Sequence, residues 1–376
     1  MNRVLVVGGA SVTALGDTTD TLWDNLLARR TGIRPLARFP TAGYGTNLAA
    51  CVPELVSSGP RSMVIALLDR LCEHLPPLPP DTLLIASTTK GGVDNLERLA
   101  GGAAADADDI PLPAIGAALR RRLGLTVPGF TVSAACASGS IALGRGARIV
   151  AAGQAGAVLV VAFDVITEFV FSGFSALQAL SREPCNPFDR GRTGLSLGEG
   201  AAAILLEDSA HADAEGREPL GEVLGWGATN DAVHITAPAR DSRGLVQAIG
   251  AALARAGCEP RDVAGVSAHG TGTIYNDLME LNAFRAVFGE RQVPVYGIKG
   301  ALGHTLGAAG AVETLVALRA IAAGVVPGTV GLKDPDPAAA GRVSPDPVPL
   351  DGHRILLTNS GFGGVNGALV LGGKPR

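Results

Sequence analysis

The run Ala157-Val-Leu-Val-Val-Ala-Phe163 is apolar at every position. A strand with one wet face alternates apolar and polar side chains, so a strand that never alternates has to be covered on both faces. Further short apolar runs at 3–8 and 81–87, and the one that leads into Cys136, alternate with stretches of helical spacing near 21–28, 61–74 and 114–123. This pattern predicts an α/β protein with parallel strands and helices on both sides. The polar segment 208–219 interrupts it, and the order then restarts. Strands are expected at 220–226, 263–268 and 293–298, helices at 243–256, 277–288 and 307–323, and a closing strand pair at 354–360 and 366–371. The 376 residues therefore divide into two halves of similar order, 1–208 and 219–376.

Composition narrows the function classes. Net charge is −4 with no dense basic run, which argues against nucleic acid as the main partner. Five cysteines form no CxxC and no regular framework, as expected of free thiols in a reducing compartment. The N-terminus reads as an opening strand and not as a signal peptide, because Gly8 and Gly9 interrupt it. Asp164 breaks the best apolar run, so no membrane span is expected, and a cytoplasmic location follows. Residues 100–113, with Asp106, Asp108 and Asp109, read as a solvated acidic turn.

Four stretches could carry chemistry. Thr131-Val-Ser-Ala-Ala-Cys136 is a short apolar run that ends at a cysteine, and the small residues after it open a helix apolar on nearly every face, hence buried. At a helix N-terminus the Cys136 sulfur leans toward thiolate, although a free cysteine among alanines is as readily a small hydrophobe. His269 sits at a strand end among small residues, before a helix expected to be capped by Asp277 with Glu280 in a capping box. Lys299 ends a third apolar run, and a buried lysine needs a carboxylate, Glu280 or Glu313. His304 opens a glycine-rich helix whose N-terminus would keep the imidazole neutral, leaving an N–H for a developing oxyanion. Finally, Ser360-Gly-Phe362-Gly363 belongs to a glycine-rich turn whose N–H groups could form an oxyanion hole with Phe362 as gate, or could be an ordinary hairpin. Gly194-Leu-Ser196-Leu-Gly198 matches the serine hydrolase motif, but strand, not helix, is expected after the serine, so the match is read as coincidence.

In this order, with Val12-Thr-Ala-Leu-Gly, Asn186-Pro-Phe-Asp-Arg190 and Gly198-Glu-Gly200, these residues make the chain resemble the β-ketoacyl synthases, thiolase-superfamily condensing enzymes of Cys-His-His type. The resemblance covers nearly the whole chain. It implies a thiolase fold, five layers α-β-α-β-α from two duplicated halves, and a dimer. It also implies decarboxylative Claisen condensation of malonyl-acyl carrier protein with an acyl group on Cys136. The N–H groups of Cys136 and Phe362 would hold the thioester oxyanion, and His269 and His304 the malonyl enolate. Lys299, with Glu280 or Glu313, would maintain their charge and geometry. Thr271, Thr273, Phe169 and Phe174 would line the substrate pocket. No metal or other cofactor is implied, since substrates arrive on the phosphopantetheine arm of acyl carrier protein.

Relatives differ at identifiable positions. A thiolase would carry a second cysteine after Cys258, the chalcone synthase type an asparagine at His304, and a chain length factor no cysteine at 136. Fatty acid elongation and a non-catalytic, chain-length-factor-like role remain alternatives. Ser360 stands where the family commonly has a second phenylalanine, implying a wider acyl entrance. Thr88-Thr-Lys-Gly91 and 164–174 are more similar to ketosynthases of polyene-forming type II polyketide systems, which pair with a chain length factor as a heterodimer. The alternative is pairing with itself. An acidic carrier protein would dock on basic residues, with Arg61, Arg120, Arg121 and Arg182 as candidates. No nucleic acid or membrane partner is expected.

Overall fold

The unbroken apolar run is explained by what lies on its two faces. In the computed structural model, which describes residues 2–375, it belongs to the strand Ala157–Asp164. Val158, Val160 and Ala162 face one core, and Leu159, Val161 and Phe163 face another on the opposite side. We number the sheet strands β1 (Leu5–Thr13), β2 (Leu83–Ser87), β3 (Phe130–Val132), β4 (Ala157–Asp164), β5 (Gly200–Glu207), β6 (Gly221–Asn230), β7 (Gly265–Ser267), β8 (Val295–Tyr296), β9 (Arg354–Gly361) and β10 (Val365–Gly372). Their order is β8-β7-β9-β10-β6-β1-β5-β4-β2-β3.

Read outward from the middle, β1-β5-β4-β2-β3 and β6-β10-β9-β7-β8 are the same arrangement shifted by five strands. In each half the first three strands pair antiparallel and the last two join in parallel. The halves meet at a short seam, Leu5 opposite Glu222 and Val6 opposite Gly221.

Four helices matter for the site: α1 (Ser138–Ala151), α2 (Glu168–Ala176), α3 (Ile274–Phe288) and α4 (Ala309–Ala323). α1 follows β3 and α4 follows β8, equivalent places in the two halves. Both are packed in the core between the half-sheets, with Leu143, Ala147, Val312 and Leu315 against Val160, Ile204, Leu357 and Leu369. Helices Met63–Cys72 and Leu112–Arg122 cover the outer face of the first half, and Arg243–Ala256 and α3 that of the second. The layers run α-β-α-β-α. The stretch Leu306–Ala323 is long and apolar enough to cross a membrane, but 83% of it is buried, which makes it a core helix.

Several local expectations are corrected. α3 begins at Ile274 with Thr273 at its N-cap, so Asp277 is a buried helical residue and not the cap. Asp277 instead accepts N–H bonds from Phe188, Thr271 and Gly272. Asp109 is not solvated. It is buried, and its carboxylate takes two bonds from Arg61 and one from the Ser62 amide. The segment 208–219 contains a helix, Ser209–Ala214, capped by Asp208.

Candidate active site

Cys136 lies in the turn between β3 and α1. Ala135 just before it has φ +49°, the left-handed region that tight turns use and side chains avoid. Ser138 ties the turn, accepting from Ala134 N and donating to Ala135 O. Gly361 approaches from the second half so closely that a Cβ there would stand 3.0 Å from the Cys136 nitrogen. The Phe362 N–H is near enough to the Cys136 sulfur to favour its ionised form. The expected thiolate is corrected: burial pushes the thiol up to about 11, and the Lys299 ammonium and the Phe362 N–H only partly oppose this.

The two histidines come from equivalent loops of the second half, after β7 and β8. Their rings meet edge to face with centroids 5.0 Å apart. His269 Nδ1 is 3.3 Å from Lys299 Nζ and 3.3 Å from Asn359 Nδ2. Both are donors, so Nδ1 is the acceptor and Nε2 carries the proton. Likewise Leu306 N donates to His304 Nδ1 at 3.2 Å, which leaves the proton on His304 Nε2. That Nε2 is buried and has no hydrogen-bond partner among the described residues. Both pKa values lie well below the usual histidine value, first through burial and then through Lys299, with His304 a third cause for His269. The neutral state expected for His304 is favoured first by desolvation and then by the Lys299 cation, and the Leu306 N–H at the start of the following helical segment adds to it.

Lys299 has Glu313 as its partner, at 2.5 Å, and also donates to His269 O. Glu280 is not its partner. It instead accepts from the amides of His269 and Gly270, from Asn276 Nδ2 and from Thr358 Oγ1, and so fixes the His269 loop. Burial pushes the Glu280 carboxyl up to about 7 while these donors favour its ionised form. Asn359, overlooked in the sequence, bridges Glu313 and His269. In the sequence Asp164 reads only as the break in an apolar run and the start of the 164–174 segment, not as part of the site. It is fully buried and accepts from Thr88, Thr89 and Lys90, and from Gly307 N just beyond His304.

Cys136, His269 and His304 share a cavity of about 390 Å³ with Thr271, Thr273, Phe174, Ser360 and Phe362. Phe362 stacks on Phe174 with centroids 5.6 Å apart. Ser360 donates to Asn366, and Gly363 N to Ile235 O, so the turn is anchored at both ends. Phe169 is corrected: it is 55% exposed and does not line the cavity. Ser196 is buried and is followed by β5. Its carbonyl accepts from the His304 amide. Among the docking candidates, Arg182 is exposed beside the cavity-lining segment 177–179. Arg61 is paired with Asp109, and the helix carrying Arg120 and Arg121 lines no part of the cavity.

Two family models match: the β-ketoacyl synthase N-terminal domain over residues 113–212 and its C-terminal domain over 220–333. A 3-oxoacyl-[acyl-carrier-protein] synthase 2 of Synechocystis sp. is 31% identical over 409 aligned residues, covering 98% of this chain and 97% of the relative. The structure of the ishigamide ketosynthase/chain length factor superposes with a TM-score of 0.91 at 30% identity, over the full length of both chains. A ketosynthase in complex with its chain length factor from Xenorhabdus doucetiae gives 0.84 at 27%, covering 99% of this chain and 98% of that one.

Proposed function

The chain belongs to the β-ketoacyl synthase family and is a condensing acyltransferase of fatty acid or type II polyketide synthesis, and on that premise we propose that it elongates polyene chains as the catalytic partner of a chain length factor. The observation that carries the condensing chemistry is the pair of neutral imidazoles, each with Nδ1 accepting and its proton on Nε2, that share one cavity with Cys136, the His304 Nε2 being unpartnered among the described residues.

In this reading Cys136 attacks the thioester of acyl-carrier protein. The oxyanion is held by the Cys136 and Phe362 amides, and the thiol proton passes to the departing pantetheine thiol. Malonyl-carrier protein then places its thioester carbonyl against His269 and His304. The bond to its carboxylate breaks, carbon dioxide leaves, and the electron pair forms an enolate held by the two Nε2–H groups. That carbanion attacks the acyl carbonyl, the carbon–sulfur bond to Cys136 breaks with the electron pair leaving on sulfur, and the resulting thiolate takes a proton from solvent to restore the thiol. Lys299 and Asn359, both donors to Nδ1, keep His269 in the one tautomer that can do this. No metal or redox group is needed at any step, and both substrates ride on the phosphopantetheine arm.

Support for the polyene pathway is that the two segments similar to those ketosynthases form one unit, joined by Asp164 to Thr88, Thr89 and Lys90, behind the His304 loop. Support for a chain length factor comes from the two similar structures that contain one. With five free thiols, the enzyme suits a reducing cytoplasm. The test is intact mass after mixing with acyl-carrier protein bearing saturated or polyunsaturated chains, alone and with a co-expressed chain length factor. An adduct on wild type and none on Cys136→Ala is expected, with polyunsaturated chains preferred. Absence of any adduct in both settings would favour the non-catalytic role, and preference for saturated chains would favour fatty acid elongation.

A further inference from the structure

The cavity that holds Cys136 is bordered by three segments, 177–179, 236–238 and the start of α3 at 274–276. Polar side chains are expected where a protein meets water, yet these segments and their immediate neighbours carry Leu177, Val233, Ile235, Ile274, Tyr275 and Leu278. Their exposure runs from 40% at Leu278 to 79% at Ile235. They are six of the twelve large hydrophobic side chains that stand exposed among the described residues. Scattered singly such residues mean little, but gathered around one opening they mark a contact surface. Leu278 lies one turn along α3 from Ile274 and shares its face. The loop that carries Val233 and Ile235 is ordered: Gly363 N donates to Ile235 O, and the amides of Thr236 and Ala237 donate to His234 Nδ1. Arg182 and Arg240 follow two of the three segments, exposed and without an ion pair among the described residues.

We propose that this apolar rim is the seat of the acyl carrier protein, which binds by burying these side chains, with Arg182 and Arg240 as flanking contacts to its acidic surface. The inference rests on the condensing role of Cys136 and adds how the partner of that site is held. Whatever carries the phosphopantetheine arm has to lie over the opening through which the arm reaches Cys136, and has to leave after each step. A permanent subunit on the same surface would close the cavity to substrate, so neither a chain length factor nor a second copy of this chain fits the rim. Two unpaired guanidiniums can steer an acidic partner, an effect that salt screens. The apolar side chains hold it by giving up their water, an effect that salt leaves standing. Docking of this kind departs from the basic patch expected in the sequence.

Loading of Cys136 from hexanoyl-acyl carrier protein and from hexanoyl-pantetheine, both read by intact mass, separates docking from chemistry. The enzyme is tested alone and with a co-expressed chain length factor. Ile235→Ser and Leu278→Ser remove apolar surface from two separate segments, and neither side chain lines the cavity. Each should slow loading from the carrier protein by about fivefold, and the two together by more than about tenfold. Loading from the pantetheine thioester should keep the wild-type rate. Arg182→Ala combined with Arg240→Ala should cost less than about threefold, and only at low salt. Unchanged carrier loading in the double rim variant overturns the proposal, as does equal slowing with both donors or an arginine effect larger than that of the rim. Loss of the co-expressed chain length factor from the double rim variant would assign the surface to that subunit and overturn it too. A wild type that loads from neither donor in either setting overturns the condensing role and the docking with it.

Discussion

At the scale of single residues, the site sets a buried thiol against neutral imidazoles. With the Cys136 thiol pushed up to about 11, the free enzyme carries little thiolate at neutral pH. The thiolate fraction then grows about tenfold per pH unit up to roughly pH 10. Iodoacetamide alkylation of Cys136, followed by peptide mass, should therefore rise steeply through that range without levelling. A plateau near pH 8 would mean that the thiolate is stabilised before substrate binds. Much of this chemistry was legible in the sequence, because Cys136, His269, Lys299 and His304 are reactive types on small-residue loops. The sulfur's acidity was not, since a helix end can be read along the chain but desolvation depends on what the other half lays over it. The choice between Glu280 and Glu313 likewise waits on packing: both are buried, and only Glu313 reaches Nζ. Asn359 escaped notice because both of its partners lie far away in sequence.

At the scale of elements, the reacting groups are brought together by two helices that nearly touch. A Cβ on Gly310 of α4 would stand 2.5 Å from the Ser140 nitrogen of α1 and 2.6 Å from Asn359 Oδ1. Gly139 on α1 is similarly close to Ala311 N and Gly307 O, at 3.0 Å each. Neither backbone can yield without moving Cys136 relative to His304. Gly310→Ala should accordingly lose about 1–3 kcal/mol of stability through overpacking, read as a lower urea midpoint at unchanged slope, together with slower acyl loading. An unchanged midpoint would show that the helices part without strain. Apolar periodicity identified the strands and both central helices, but Phe169 was assigned to the pocket by the resemblance alone, and that assignment fails. Within 168–176 the helical turn sets Phe171 and Phe174 on the inner face and leaves Phe169 outside. The segment had been read only as a similarity and never as a helix.

At the scale of the whole molecule, the duplicated halves share what each would otherwise leave exposed. α1 and α4 are buried between the half-sheets, so removing either half uncovers the inner face of the other. The seam of two residue pairs between β1 and β6 is too short to hold them together, and the central layer has to do so. Chains of this length often unfold in stages, but a shared core argues against it here. The two tryptophans can decide, because Trp23 belongs to the first half and Trp226 to the second. In Trp23→Phe and Trp226→Phe variants the remaining fluorophore reports its own half. Both urea midpoints should coincide with each other, with the loss of far-ultraviolet circular dichroism and with the loss of Cys136 loading. Separate midpoints would mean that the halves at 1–208 and 219–376 are stable units joined only at the site. Cys136 would then lose its histidines before either half unfolds, and loading would follow the weaker half.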